Sequence, residues 1–128
     1  MKHLFFIALG GSIGAVLRYN ISKFLPVVIN TIFPIGTLAV NIIGCFFIGF
    51  FYDLFEKIII NIDYKSFMTI GLLGALTTFS TYSIETINLF RDGELKLGVL
   101  NVFLSNVLGI MFVVLGIFSS RIMLKIIR

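Results

Sequence analysis

Charged residues are spread so unevenly along this chain that marking them alone cuts it into four uncharged runs, Leu4–Leu17, Phe24–Tyr52, Ser66–Ile84 and Leu97–Ser120. Runs of this length demand an apolar solvent, and the chain is too short to supply one internally. With 59% of its 128 residues hydrophobic and 12% charged, against about 25% charged in ordinary soluble domains, it carries more apolar side chains than one small core can hide. Four segments of about 20 residues, each a membrane-spanning helix, account for the pattern. The fold class is therefore an all-α membrane protein with four transmembrane helices. Residues 1–128 form a single domain, with no room for a soluble catalytic module, so the chain does not read as an enzyme.

Segment ends follow from length and proline. The third and fourth runs have 19 and 24 residues and span without adjustment. Pro26 and Pro34 punctuate the start of the 29-residue second run; its helix is expected to begin near Pro34 and end around Asp53, leaving the first third as a connector. The first run has only 14 residues, so its helix must continue through Arg18 and Tyr19 toward Phe24. That brings Arg18 within reach of the membrane, either snorkelling to headgroups or forming a cationic vestibule for an anion. Lys2 and the apolar run after it mimic a signal peptide, but no small-x-small cleavage site follows; a retained first helix is expected.

Several chemistries have little support. The formal net charge is +4, yet Lys and Arg are scattered singly at segment ends, as membrane anchors are, and form no stripe for nucleic acid. Cys45 has no second cysteine to pair with, and His3 is the only histidine, which disfavours disulfides, thiolate-bound metals and histidine catalysis. If the helices alternate, Lys2, Lys57, Lys65, Arg121, Lys125 and Arg128 fall on one side and Arg18, Lys23, Arg91 and Lys96 on the other. Six against four fixes no orientation, and insertion both ways round is open. Glycine pairs at Gly10 and Gly14, Gly44 and Gly49, Gly71 and Gly74, and Gly109 and Gly116 predict close helix packing and an oligomer.

The polar groups inside the runs are more specific. Thr77, Thr78, Ser80, Thr81, Tyr82 and Ser83 crowd six hydroxyls around Phe79. Such hydroxyls can bond back to their own helix; following Gly71 and Gly74, the cluster points instead to an interrupted third helix whose freed backbone groups need partners. Asn41 stands among apolar neighbours with Thr37 one turn earlier; it can join two helices or line a pore. Asn101 and Ser105, four apart, give the fourth segment a polar face, with Gly109 continuing it and Asn106 beside it. No carboxylate is expected deep in a span, Glu85 following the hydroxyl cluster. The donors on offer are amide N–H, hydroxyl O–H and the ring edges of Phe79 and Tyr82, which suit a small anion.

Three stretches, in order, resemble the motifs of the Fluc/CrcB family of fluoride channels: Gly10 to Tyr19 (GGSIGAVLRY), Gly36 to Gly44 (GTLAVNIIG) and Gly71 to Tyr82 (GLLGALTTFSTY). The resemblance implies a passive fluoride channel in the cell inner (plasma) membrane, exporting fluoride as an antiparallel, dual-topology dimer whose third helices break and cross. The second subunit is another copy or a paired paralogue, and lipid surrounds both. It also implies a structural sodium ion on main-chain carbonyls, by motif position those of Gly74 and Thr77. Fluoride would pass Asn41, Phe79, Tyr82 and Ser105, with Thr37 and Asn101 on the polar track and Arg18 at the vestibule. Tyr82 departs from the family's usual phenylalanine, and Gly109 lacks a hydroxyl that continues the track. A small multidrug antiporter is the rival transporter, but the first run carries no embedded glutamate; a non-transporting assembly subunit would give the aligned donors no purpose.

Overall fold

A computed structural model of the chain describes residues 2–127. The elements are α1 (Lys2–Ile29), α2 (Ile35–Lys57), α3 (Ile62–Ser66), a π-helical segment (Phe67–Leu73), α4 (Gly74–Leu76), α5 (Phe79–Arg91) and α6 (Leu95–Ile127). No strand occurs among the described residues. From α3 to α5 the chain forms one bent span, so four helical units are long and apolar enough to cross a membrane. Even the 23-residue α2 is about 35 Å long at 1.5 Å per residue, enough for a hydrocarbon layer of about 30 Å. The molecule is a multi-pass membrane protein.

Two helix ends differ from the sequence expectation. Phe24 to Ile29 is not connector but the last part of α1, which runs through Pro26. Proline removes the N–H that would bond the carbonyl four residues back, that of Ser22. Gly36 packs against this same carbonyl, where any side chain at 36 would collide. The helix stops at Asn30, whose φ of 51° is left-handed and whose N–H bonds the Pro26 carbonyl at 2.9 Å. At the other boundary α2 continues past Asp53 to Lys57, the two side chains pairing one turn apart. Similarly, α6 outruns its uncharged stretch at both ends.

Most of the glycines are contact points. A side chain at Gly10 would strike the Phe67 carbonyl, and one at Gly14 the Leu72 carbonyl, which seats α1 on the π segment. Gly49 faces the Val113 carbonyl while Gly116 faces that of Phe46, so α2 and α6 approach backbone to backbone. With little hydrophobic gain between helices in lipid, such close approach supplies the packing attraction. Gly74 and Gly109 meet only ordinary contacts, at 3.7 and 3.6 Å. The buried apolar centre is small, formed by Val40, Leu73 and Leu76, and it lies beside the bend.

Candidate functional site: a polar break beside a membrane cavity

Between α4 and α5 the backbone is extended at two residues, Thr77 (φ −81°, ψ 154°) and Thr78 (φ −151°, ψ 116°). The third span is thus interrupted, and its freed groups can be followed. The Thr78 N–H donates to Asn41 Oδ1 at 2.8 Å, and Asn41 Nδ2 donates to the Thr78 carbonyl at 3.2 Å. Thr78 Oγ1 accepts from the Thr81 N–H at 3.2 Å, capping α5. In an unbroken helix the Thr78 and Thr81 N–H groups would serve the carbonyls of Gly74 and Thr77. Both donors are engaged elsewhere, so these two carbonyls have lost their helical partners. The remaining hydroxyls divide: Ser83 and Thr86 bond back to carbonyls of α5 at 2.9 and 2.8 Å, whereas Thr81 Oγ1 accepts from Thr78 Oγ1 at 3.0 Å.

The break borders a cavity of about 340 Å³ between α2, the bend and α6. Asn41, Gly74, Thr77, Phe79, Tyr82 and Ser105 line it together, from three different spans. One amide hydrogen of Asn41 serves Thr78, leaving the second for whatever enters. Phe79 and Tyr82 stand side by side with ring centroids 5.4 Å apart, and Phe79 is 78% exposed on the isolated chain. Asn106, also on the wall, donates to the Tyr82 hydroxyl oxygen at 3.4 Å, which leaves the phenolic hydrogen available.

Thr37, Asn101 and Arg18 lie outside this cavity. Thr37 is buried and donates to Glu85 Oε1 at 2.9 Å. Asn101, 2% exposed, donates to Thr86 Oγ1 at 2.9 Å and accepts from Ser105 Oγ at 3.4 Å, so it connects to the cavity only through Ser105. Arg18 shares a second groove with Lys23, Thr78 and Thr81. Thr78 is thereby the wall between a groove carrying two cations and the main cavity.

Two carboxylates that the sequence sets at segment ends take partners from other spans. Glu85 lies within the third span, half-buried, with Oε2 enclosed and without a hydrogen-bond partner. The available signal was the cost of a carboxylate inside a span, which demands a donor from another helix; Thr37 is that donor. Asp53 is 4% exposed and bound by Lys57 and Arg121, a pairing across α2 and α6 that no local pattern announces. No cluster of three or more His, Cys, Asp or Glu occurs among the described residues, so any cation here would rest on main-chain or neutral oxygens.

The sequence is similar to those of known proteins. Residues 5–117 match the family described as CrcB-like protein, Camphor Resistance (CrcB). A Shewanella putrefaciens protein named fluoride-specific ion channel FluC is 48% identical over 116 residues, covering 91% of this chain and 94% of its own. An Aquifex aeolicus protein of the same name is 46% identical over 117 residues, with the same coverage, and one from Parabacteroides distasonis is 38% identical over the full length of both chains. On this evidence of sequence, and with four spans and a broken third one, the chain belongs to the CrcB family.

Proposed function

We propose that this protein is a fluoride-selective channel of the inner (plasma) membrane, letting cytoplasmic fluoride leave passively. The observation that carries the reading is the Asn41–Thr78 pair: it holds open a helix break whose donors border a cavity at membrane depth. Relatives across 91% or more of the chain bear the name of such a channel. The function is transport, not catalysis.

Dehydration is the obstacle to any small anion. Moving a carboxylate-sized ion into a dry interior costs of order 20 kcal/mol, and fluoride is smaller. Hydrogen bonds to a charged group return about 1.5–3 kcal/mol each. The free amide hydrogen of Asn41, the Tyr82 hydroxyl, the ring edges of Phe79 and Tyr82 and, when its hydrogen turns from Asn101, the Ser105 hydroxyl therefore share the load with retained water and fixed positive charge. The amino end of the 13-residue α5 opens on the cavity and contributes about half an elementary charge. Arg18 and Lys23, across Thr78, draw anions toward the break.

The working unit is an antiparallel dual-topology dimer, of two copies or with a paired paralogue. Gly74, Phe79 and Ser80 leave an exposed, partly polar face at the bend, which lipid solvates poorly and a second subunit covers. The near balance of cations between the two ends supports insertion both ways. A structural sodium ion fits the donor set: the carbonyls of Gly74 and Thr77 lack their helical donors, and hard cations take oxygen ligands. When bound, it supplies fixed positive charge beside the anion path.

The deciding experiment is fluoride-electrode efflux from liposomes holding purified protein, with chloride as control. Fluoride release at protein-dependent rates, with chloride retained, is the expected result. Vesicles that keep their fluoride like protein-free ones reject the reading, as does equal loss of chloride.

A further inference from the structure

The end of the bundle where α2 and α6 finish carries a feature that permeation does not use. Asp53, buried on α2, accepts from Lys57 one turn on and from Arg121 Nε of α6 at 3.1 Å. The acid is inside and the cations face out: the side chains are 5% exposed for Asp53, 37% for Lys57 and 61% for Arg121. Because the pair engages Arg121 through Nε, its two Nη groups keep their hydrogens for another acceptor. Lys125, the next turn of α6, lines the same cavity of about 430 Å³ as Lys57 and Arg121, and the remaining walls are Phe118, Ile122 and Leu124. Among the described residues, three cations against one carboxylate leave two positive charges in surplus. The site lies near the far end of a 33-residue helix about 50 Å long, at the level where hydrocarbon gives way to headgroups.

Terminal lysines of membrane helices ordinarily snorkel to water singly. Lys96, at the opposite end of α6, is such a residue: its groove is lined otherwise by Leu95, Val99, Leu100 and Phe103, with no second charge. At the Asp53 end, by contrast, cations from two helices converge on an apolar-walled cavity. Phosphate with an attached hydrocarbon chain is the chemistry that matches both parts.

We propose that this cavity binds an anionic phospholipid, its phosphate between Lys57, Arg121 and Lys125 and its first acyl segment along Phe118, Ile122 and Leu124.

Native mass spectrometry of the purified full chain, titrated with phosphatidylglycerol and separately with phosphatidylcholine, tests the site without reference to fluoride transport. Phosphatidylglycerol should be retained at lower concentration than phosphatidylcholine. Each cation near a headgroup contributes enough that Lys125→Gln should weaken retention about fivefold, and Arg121→Gln with Lys125→Gln about thirtyfold. Lys96→Gln should change nothing. Arg121→Gln also breaks the Asp53 pair, so Lys125→Gln, which touches no ion pair among the described residues, carries the decision. Equal retention of the two lipids overturns the proposal, as does unchanged phosphatidylglycerol binding by Lys125→Gln. Displacement of the lipid by an equal concentration of inorganic phosphate also overturns it, by making the site one for free anions.

Discussion

Asn41 on α2 and Thr78 in the break exchange two hydrogen bonds, 2.8 Å into Asn41 Oδ1 and 3.2 Å from Asn41 Nδ2, so one side chain engages both backbone groups of a single residue. The two roles open to Asn41 in the sequence, interhelical bond and pore lining, are compatible. The bonds to Thr78 use one acceptor and one donor, and the second amide hydrogen remains at the cavity wall. Thr78 is only 7% exposed, so its backbone groups have little water to fall back on.

Replacing Asn41 should therefore act in two distinguishable ways. Asn41→Leu strands the Thr78 N–H and C=O at about 1–3 kcal/mol each, lowering thermal stability in detergent as well as stopping efflux. Asn41→Asp keeps an acceptor for the Thr78 N–H but puts negative charge on the path; it should abolish fluoride efflux while the protein remains folded. Undiminished efflux from the Asp variant would remove Asn41 from the pathway.

Gly44 faces the methyl of Thr77, and a side chain at 44 would overlap it. Gly44→Ala should cost about 1–3 kcal/mol through overpacking at the break. Adding Thr77→Ser, which deletes that methyl but keeps both hydroxyl and carbonyl, should restore most of the loss. Thermal unfolding of the two single variants and the double variant measures it; additive losses would show that the methyl is not the obstacle.

Tyr82 and Asn106 should behave as a pair. The Asn106 amide donates to the phenol oxygen, directing the phenolic hydrogen elsewhere. Tyr82→Phe should preserve a conducting ring edge and change the efflux rate modestly. Asn106→Leu should alter efflux in the parent but have little further effect when Tyr82→Phe is present. A full Asn106→Leu effect in the Phe background means that Asn106 acts independently of the ring.

Thr37 is the hydrogen-bond donor that the structure gives Glu85 from another helix. Thr37→Val should destabilise by about 1–3 kcal/mol, because a half-buried carboxylate loses a donor. In a Glu85→Leu background the same change should be close to neutral. Stability measurements around this cycle read the coupling, and equal effects of Thr37→Val in both backgrounds would dissociate the two residues.

Pro26 and Asn101 show where sequence patterns stop being sufficient. Proline at the start of an uncharged run reads locally as an end, yet α1 continues through it, and Gly36 packs on the side of the helix where the Ser22 carbonyl is released. That accommodation belongs to another span. Asn101 and Ser105 share a helix face, as four-residue spacing requires. Only the approach of α5 makes Asn101 a partner of Thr86 and leaves Ser105, not Asn101, at the cavity.

By itself the sequence determined the solvent and the segmentation. Uncharged runs cannot be hydrated and must lie in lipid, and six hydroxyls around Phe79 mark where a helix cannot easily stay closed. Both are local consequences of transfer energy and backbone bonding. Tertiary structure decided which polar groups meet: Asn41 with Thr78, Thr37 with Glu85, Asp53 with Arg121. Those pairings depend on the rotation and crossing of separate helices, which glycines such as Gly10, Gly49 and Gly116 set by permitting close approach, and distances between spans leave no trace in the order of residues along one.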